Sequence, residues 1–360
     1  MVAHRFGDLV RFTASLFTAS GVPAEHADIT ARRLVEADFR GRTGHGLIRA
    51  LPYLDRIAAG GINVRPDVRV LAETATSAQL DGDNGLGQVT MTRATEVAGA
   101  KAEDVGVAVV GTVHSNHAGA AGLYSLMLAE RGLVGIYFAV ANANGMPPWG
   151  GRDPILGTNP VAVAIPAAGR HPYLLDIATT TASHGSIKVA RLAGEQMPVG
   201  WVVDPDGRQI TDPARAHEGF LVPIGGYKGS GLTMAIGLLA GTLNGAAFGR
   251  AVVDHRADLV TPTNTGQLLI AFRADLFRPL RQVLDDVTAQ LDELRAADPW
   301  DGAAVRLPGD RAAEAWETHL RDGLEVEPQV LAGMLARARE LGTPLLDTNA
   351  AEADRHLETR

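Results

Sequence analysis

Cysteine is absent from the 360 residues of the sequence. This absence excludes disulfides, thiolate metal sites, iron–sulfur clusters and cysteine nucleophiles. Lysine is scarce as well, because only Lys101, Lys188 and Lys228 are found among the 33 basic residues. A lysine at a distinctive position in such a chain therefore indicates a specific need for an ammonium group at that point.

The chain also lacks an excess of positive charge and a long hydrophobic run. Its net charge is −8, which argues against nucleic acid or an anionic membrane as a partner. Residues 1–17 contain Arg5 and Arg11, so they have no uninterrupted apolar region of the kind found in signal peptides. The segment 231–249 is rich in Gly and Ala and contains Asn244, which favours a buried helix over a membrane span. We therefore expect a cytoplasmic protein.

Several widespread motifs are missing. No G-x-G-x-x-G follows a predicted strand, and there is no Walker A loop, G-x-S-x-G elbow or H-E-x-x-H sequence. The glycines of 226–231 have the reversed spacing and do not predict a Rossmann fold. His114 and His117 stand three residues apart, but at a predicted strand end without a nearby carboxylate, so we expect no metal site. General motifs alone indicate an α/β protein that is an enzyme.

The apolar pattern predicts a mixed α/β fold. With 46% apolar and 21% charged residues, the composition is that of a globular protein, and the length suggests two lobes. The first fifty residues read as two helices with a break at 21–23, and a further helix is predicted over 47–57. Runs rich in β-branched residues predict strands. These strands are 107–113, 134–140, 160–165 and 173–177, with helices predicted over 118–131 and 276–296.

Four loop segments combine glycine with polar side chains. In 40–49, His45 lies between two glycines and four residues ahead of Arg49. The second segment is 115–121, the third combines 147–151 with 157–160, and the fourth is 225–229. Helix starts offer unpaired N–H groups to anions, and a glycine-rich loop with Lys228 suits a phosphate. Each loop alone is explained by turns and a surface lysine, but together they favour a ligand site.

These segments resemble the type-2 malate/L-lactate dehydrogenase family. That family includes ureidoglycolate, sulfolactate and diketogulonate dehydrogenases and Δ1-piperideine-2-carboxylate reductases. Its patterns are, in order, R-G-x-x-S-H-G, S-N-H-x-G, P-x-G-G, G-T-N-P, L-D-x-A-T, D-P and G-G-Y-K-G. They correspond here to 40–46, 115–119, 148–151, 157–160, 175–179, 212–213 and 225–229, with a later match at 307–310. The resemblance runs from about residue 5 to residue 345.

The resemblance implies an α/β fold that is distinct from the Rossmann fold. It has an N-terminal helical region and a mixed-sheet cofactor-binding domain. The implied divisions are 1–75 (helical, part of the substrate and dimer lobe), 76–250 (α/β, cofactor-binding), 251–345 (α/β and helical, returning to the first lobe) and 346–360 (a polar tail). The implied cofactor is NAD or NADP, and the implied assembly is a homodimer with the active site near the subunit boundary. The reaction is hydride transfer between nicotinamide and a small carboxylate substrate, either a 2-oxo acid/2-hydroxy acid pair or a cyclic imino acid.

Residue roles carry over at the positions that match the family. His45 and His117 are the expected catalytic residues, with His45 as the proton donor to the reduced substrate. The expected substrate-binding residues are Arg49, Thr158, His184 and Gly185. The expected cofactor-binding residues are His117, Ala118, Gly119, Ala120, Ala121, Asp176, Ile177, Ala178, Lys228, Pro308, Gly309 and Asp310. Alternatives without a functional role stay open for two of these residues. Asp176 would then only cap a turn, and Arg49 would be one of the many arginines of the chain without a role in substrate binding.

The chain departs from the family pattern beside His45. Gly44 stands where the family usually has Ser, and Ser186 stands where piperideine-carboxylate reductases have Asp. Both supports of a Ser–His–Asp relay are therefore missing. We expect Ser186 or an ordered water, rather than Thr43, to lie nearest to the His45 ring. Loss of the relay also keeps open a second function, that of a diverged paralogue which binds dinucleotide without hydride transfer.

Overall fold

A seven-stranded mixed β-sheet lies at the centre of the fold. The computed structural model describes residues 2–300 and 302–346. The helices are α1 (Phe6–Ala19), α2 (Ala24–Phe39), α3 (Ala50–Ala58), α4 (Gly87–Val105), α5 (Gly122–Ala129), α6 (His184–Ala193), α7 (Tyr227–Ile236), α8 (Leu280–Arg295), α9 (Asp310–Asp322) and α10 (Pro328–Leu341). The strands are β1 (Ala3–His4), β2 (Arg69–Glu73), β3 (Ser77–Asp81), β4 (Val107–Ser115), β5 (Leu133–Ala139), β6 (Asn144–Met146), β7 (Leu156–Gly157), β8 (Val161–Ile165), β9 (Tyr173–Ile177), β10 (Val202–Val203), β11 (Phe220–Leu221), β12 (Thr265–Arg273) and β13 (Leu324–Glu325).

The strand order in the main sheet is β2-β3-β4-β12-β5-β8-β9. The pair β3–β4 is parallel, and the other neighbours are antiparallel. Strand β12 therefore lies between β4 and β5 and hydrogen-bonds to both. The mixed sheet and the helical N-terminus confirm the predicted fold class.

Two apolar cores hold the molecule together. The first joins α1, α2 and α3 to α10, and it includes the fully buried Phe17 and Phe39 together with Met334. The second lies between the sheet and helices α4 and α5, around Tyr124 and Tyr137. Burial of apolar side chains on one face of each helix is the main source of stability in such an arrangement. The residues near the C-terminus thus pack on the N-terminal helices.

The sequence predicted four strands of the sheet closely, but three other expectations need correction. Helix α5 begins at Gly122 rather than at residue 118, because Gly119 has φ +80° and ends any earlier helical turn. Strand β12 belongs to the main sheet and not to a region that returns to the first lobe. Strand β2, placed in the helical region, forms the edge of the same sheet. Leu346 is buried in the helical core, and 347–360, which we expected to be a polar tail, lie outside the described residues.

The helix that continues α7 is buried on one side only. A π-helical turn (Gly237–Gly241) and a 3₁₀ turn (Thr242–Asn244) extend it towards β12. Asn244 is buried and donates to the main-chain oxygens of Ala240 and Gln267. In the described part of the chain, no helix is long and apolar enough to cross a bilayer.

Candidate active site

Two short 3₁₀ turns between α2 and α3 carry His45 and Arg49. The turns are Thr43–His45 and Leu47–Arg49. The Arg49 Nε atom donates to the Gly44 carbonyl at 2.7 Å, which ties the second turn to the first. Gly44 is not among the residues with positive φ, and a Cβ added to it would have open space around it. The local backbone therefore does not require glycine at position 44.

The imidazole of His117 lies against that of His45. The two rings are nearly parallel, with centroids 5.4 Å apart. The Nδ1 atom of His117 accepts from the Gly119 N–H at 3.3 Å and from the Tyr53 hydroxyl, which itself accepts from the Gln88 amide at 3.1 Å. Because Nδ1 is an acceptor, the proton of the neutral ring is on Nε2. The hydrogen bonds thus select the tautomer of His117.

A third histidine, His255, completes the cluster. Its ring meets the His117 ring edge to face at a centroid distance of 5.2 Å. Sequence reasoning missed His255 because it stands in a loop with no recognisable motif. It also missed Tyr53, although one signal was available: Tyr53 follows Arg49 by four residues, which places both on one face of a helix. Gln88, in the first turn of α4, gave no such signal.

The pKa of each of the three imidazoles is lowered from its ordinary value. Burial among protein atoms, and then the positive charge of Arg49, lower the pKa of His45 and of His255 to about 4. Burial and Arg49 likewise place the pKa of His117 well below its usual value. His45 keeps solvent-exposed surface, so a small molecule can reach its ring. A neutral, accessible imidazole can accept a proton at pH 7.

Three arginines surround this histidine cluster, and they differ in their partners. Arg256 binds Asp254 with both Nε and Nη2, at 2.9 and 2.8 Å. Arg42 lies 3.9 Å from the Asp176 carboxylate. In residues 2–300 and 302–346, no ion pair is formed by Arg49, which is only partly exposed. Its guanidinium is therefore the one of the three that is left to bind an anion.

Asp176, expected to contact the cofactor, lies at the N-terminus of α5. A Cβ added to Gly122 would be 2.9 Å from an Asp176 carboxylate oxygen, so glycine allows this close approach. Burial raises the pKa of Asp176, while Arg42 and the Gly122 N–H lower it. The Asp176 carboxylate therefore lies against the first turn of α5, and both its cofactor role and its structural alternative stay predictions. Residues Ala118–Ala121 form the loop between His117 and this helix.

Thr179 links Thr158 to the segment that leads to Lys228. The Thr158 carbonyl accepts from both the amide and the hydroxyl of Thr179 at 3.0 Å. The Thr179 carbonyl accepts from the Ile224 amide, just before the Gly225–Lys228 loop. Gly225 and Gly226 have positive φ and lead into α7. Lys228 is exposed in the first turn of that helix, and its ammonium group has no hydrogen-bonding partner among the described residues.

Pro308, Gly309 and Asp310 lie at the opposite end of β9. The Pro308 carbonyl faces the Leu174 amide, and a cleft of about 460 Å³ opens beside Tyr173. Asp310 begins α9 and is bound by Arg295 at 2.7 Å. Strand β9 spans about 15 Å at 3.3 Å per residue. It therefore runs from this cleft to Asp176, Ile177 and Ala178.

The other predicted substrate contacts lie in a separate helix. His184 and Gly185 begin α6, which packs on a small core of its own, and the His184 side chain lies outside the described part of the structure. The Ser186 hydroxyl is paired with the Ser183 hydroxyl at 2.9 Å. The expectation that Ser186 or an ordered water lies nearest to the His45 ring stays a prediction, and the aromatic ring stacked on His45 is that of His117. In the described residues Thr43 makes no side-chain hydrogen bond with His45.

The donor set fits a dinucleotide better than a metal. Although three imidazoles lie together, no group of three or more potential metal ligands in the described residues has a suitable arrangement. The structure instead offers an elongated path for an anionic ligand. This path consists of a cleft, an extended strand edge with close glycines, and a helix N-terminus with an unpartnered lysine.

The comparisons with known proteins agree with this arrangement. Residues 5–335 match the family model described as malate/L-lactate dehydrogenase. The chain is similar to L-sulfolactate dehydrogenase from Methanocaldococcus jannaschii, with 37% identity over 91% of this chain and 94% of the relative. It is also similar to ureidoglycolate dehydrogenase (NAD(+)) from Escherichia coli K12, with 34% identity over 89% and 91% of the two chains. The solved structure of the Methanocaldococcus jannaschii sulfolactate dehydrogenase superposes with a TM-score of 0.88 at 35% identity, covering 95% of this chain and 98% of that one.

Proposed function

The chain belongs to the malate/L-lactate dehydrogenase family, whose members include dehydrogenases of small carboxylates, and we propose that it transfers hydride between NAD(P) and a small 2-oxo acid or its 2-hydroxy acid. The observation that carries the proposal is the unpaired Arg49 beside the stacked His45 and His117. Arg49 binds the substrate carboxylate with two parallel hydrogen bonds. A carboxylate held there presents its 2-oxygen to His45.

His45 exchanges the proton that the reaction requires. Oxidation of a 2-hydroxy acid releases a proton from the hydroxyl, and the neutral His45 ring accepts it. In the reverse direction the imidazolium of His45 returns the proton to the carbonyl oxygen, or to the nitrogen of a cyclic imine. The carboxylate bound by Arg49 offsets the positive charge that forms on His45. His117 is held as the Nε2–H tautomer by Tyr53 and Gly119, and its fixed ring supports the orientation of His45.

Residues at the ends of β9 would hold the cofactor, NAD or NADP, in this proposal. It supplies and accepts the hydride at its nicotinamide. The loop 117–121 and residues Asp176–Ala178 contact its nicotinamide half, and small side chains at 118–121 allow a close approach. Lys228 and the main-chain amides that begin α7 bind its phosphates. Pro308, Gly309 and Asp310 would also contact the cofactor, while Thr158, His184 and Gly185 complete the substrate side.

A homodimer is the proposed assembly. One face of α7 and its continuation is apolar and solvent-exposed in the single chain, with Leu243 73% exposed. The other exposed residues of this face are Tyr227, Leu232, Met234, Leu238 and Leu239. A continuous apolar face of this kind indicates a protein interface, and a twofold dimer would bury it in both copies. Because Lys228 lies on the same helix, the subunit boundary would run close to the cofactor.

Cofactor titration followed by a substrate screen tests the proposed function. NADH and NADPH are titrated into the purified protein by fluorescence, and 2-oxo acids, including oxaloacetate and sulfopyruvate, and cyclic imino acids are then screened by loss of absorbance. We expect binding of at least one cofactor and turnover of a 2-oxo acid. Cofactor binding without turnover of any substrate would support the dinucleotide-binding paralogue, for which the comparisons offer no support.

A further inference from the structure

Asp38 is a buried carboxylate that neither the family patterns nor the proposed mechanism uses. It lies in the last turn of α2 and is 6% exposed. Its Oδ2 atom accepts from the Leu47 N–H at 2.8 Å, across the turn that contains His45. Among the described residues, no cation forms an ion pair with Asp38. The nearby Glu36 and Arg40 of the same helix pair with each other. Its one side-chain hydrogen bond therefore leads to the His45 turn.

Gly46 makes this contact possible. A Cβ added to Gly46 would lie 1.9 to 2.6 Å from all three atoms of the Asp38 carboxyl group. The backbone between His45 and Leu47 thus rests directly on the carboxyl group, without a side chain between them. The close approach to Asp38 by itself excludes a side chain at position 46.

We propose that Asp38 is a positioning residue that fixes His45 by holding the Leu47 amide and the Gly46 backbone. Arg49 ties the outer side of the same turn to the Gly44 carbonyl, so the turn is held from both sides. A displacement of a reacting group by about 1 Å can cost about 100-fold in rate. This inference rests on the proposed function only for the catalytic consequence, since the structural contact does not depend on any substrate.

Neutral pH is the range in which Asp38 changes its charge. Burial raises its pKa to about 7, while the hydrogen bond from Leu47 acts in the opposite direction. The carboxylate is a stronger acceptor than the neutral acid. The Leu47 amide is therefore bound more tightly above pH 7 than below it.

Amide hydrogen exchange of Leu47 tests the contact without any substrate. In Asp38→Ala we expect the Leu47 amide to exchange at least about tenfold faster than in the wild type, because its acceptor is gone. Asp38→Asn keeps an acceptor and should stay within about threefold. After division by the intrinsic, base-catalysed exchange rate, its Leu47 protection should lose the pH dependence that the wild type shows near pH 7. Glu36→Ala is the matched control, because it removes another buried carboxylate of α2 and leaves Leu47 untouched.

Turnover separates a positioning role from a purely structural one. In folded Asp38→Ala, kcat should fall at least about tenfold while the cofactor Kd stays unchanged, and Asp38→Asn should recover most of the loss. Gly46→Ala, which pushes the carboxyl away, should resemble Asp38→Ala. Unchanged exchange of the Leu47 amide in Asp38→Ala overturns the proposal. So does faster exchange with an unchanged kcat, or an equal loss of kcat in Glu36→Ala. If the wild type turns over no substrate, the proposed function fails while the exchange result still decides the contact.

Discussion

The imidazole rings of His45 and His117 stack with an angle of 14° between their planes. Each ring comes from a different part of the chain, one from the turn after α2 and the other from the loop after β4. Two stacked rings cannot both carry a positive charge without mutual repulsion, and Arg49 adds a third cation nearby. A bound anion would therefore favour protonation of this pair.

Replacement of His45 should remove most of the turnover. For His45→Asn we expect kcat to fall by about 10² to 10⁴-fold, the usual contribution of general acid–base catalysis, with little change in cofactor Kd. Steady-state kinetics and a fluorescence titration with NADH or NADPH measure the two effects. The matched control is His217→Asn, an exposed histidine of a distant turn. A variant with wild-type kcat at every pH would remove His45 from the proton-transfer role.

Binding of an anionic substrate analogue should take up a proton. Burial and the nearby arginines lower the pKa of His45 to about 4 in the free protein, and a carboxylate held by Arg49 should raise it in the complex. At a pH between these two pKa values, each increase of one pH unit should raise the Kd for oxamate by up to about tenfold. The reason is that binding of the anion and protonation of His45 are linked. Calorimetry from pH 5 to pH 8 with saturating cofactor measures this slope. His45→Asn should flatten it, and an unchanged slope in that variant would assign the proton elsewhere.

Removal of Lys228 should weaken cofactor binding and leave the fold intact. Lys228→Ala should raise the Kd of NADH or NADPH because a phosphate loses its cation. The side chain is exposed, so thermal stability should change by less than about 0.5 kcal/mol. Lys101→Ala is the control, as Lys101 pairs with Glu73 on the far edge of the sheet. Equal Kd values for the wild type and Lys228→Ala would make Lys228 an ordinary surface charge.

A hydroxyl restored at position 44 should improve catalysis. Gly44 lacks a positive φ and has open space where a Cβ would stand, so Gly44→Ser is expected to fold without strain. The serine hydroxyl would give His45 a hydrogen-bonding partner next to it in the chain, and kcat on a good 2-oxo acid should rise. Gly44→Ala separates this effect from a simple stiffening of the backbone. If the serine and alanine variants have the same kcat, the hydroxyl has no part in orienting His45.

The sequence was most informative where a local pattern is sufficient. Strands β5, β8 and β9 follow from short β-branched runs, and His45, His117 and Arg49 follow from motif matches. Strand β12 was missed because its central place depends on pairing with β4 and β5, which lie far away in the chain. His255 and Gln88 were missed for the same reason, since their proximity to His117 exists only after folding. The pairing of the Ser186 hydroxyl with the Ser183 hydroxyl, three residues earlier, was not foreseen from the sequence.

The position of β12 also determines the order in which the sheet can be completed. Strands β2, β3 and β4 form one half of the sheet and β5, β8 and β9 the other, and the two halves pair only through β12. During synthesis on the ribosome, each half of the sheet keeps an unpaired edge until residues 265–273 have been made. Such edges are templates for pairing with other chains, and closure over a long sequence separation is slow. The chain is thus most prone to aggregate just before its joining strand is made, and a shortened gene product that ends before this strand would keep that hazard permanently.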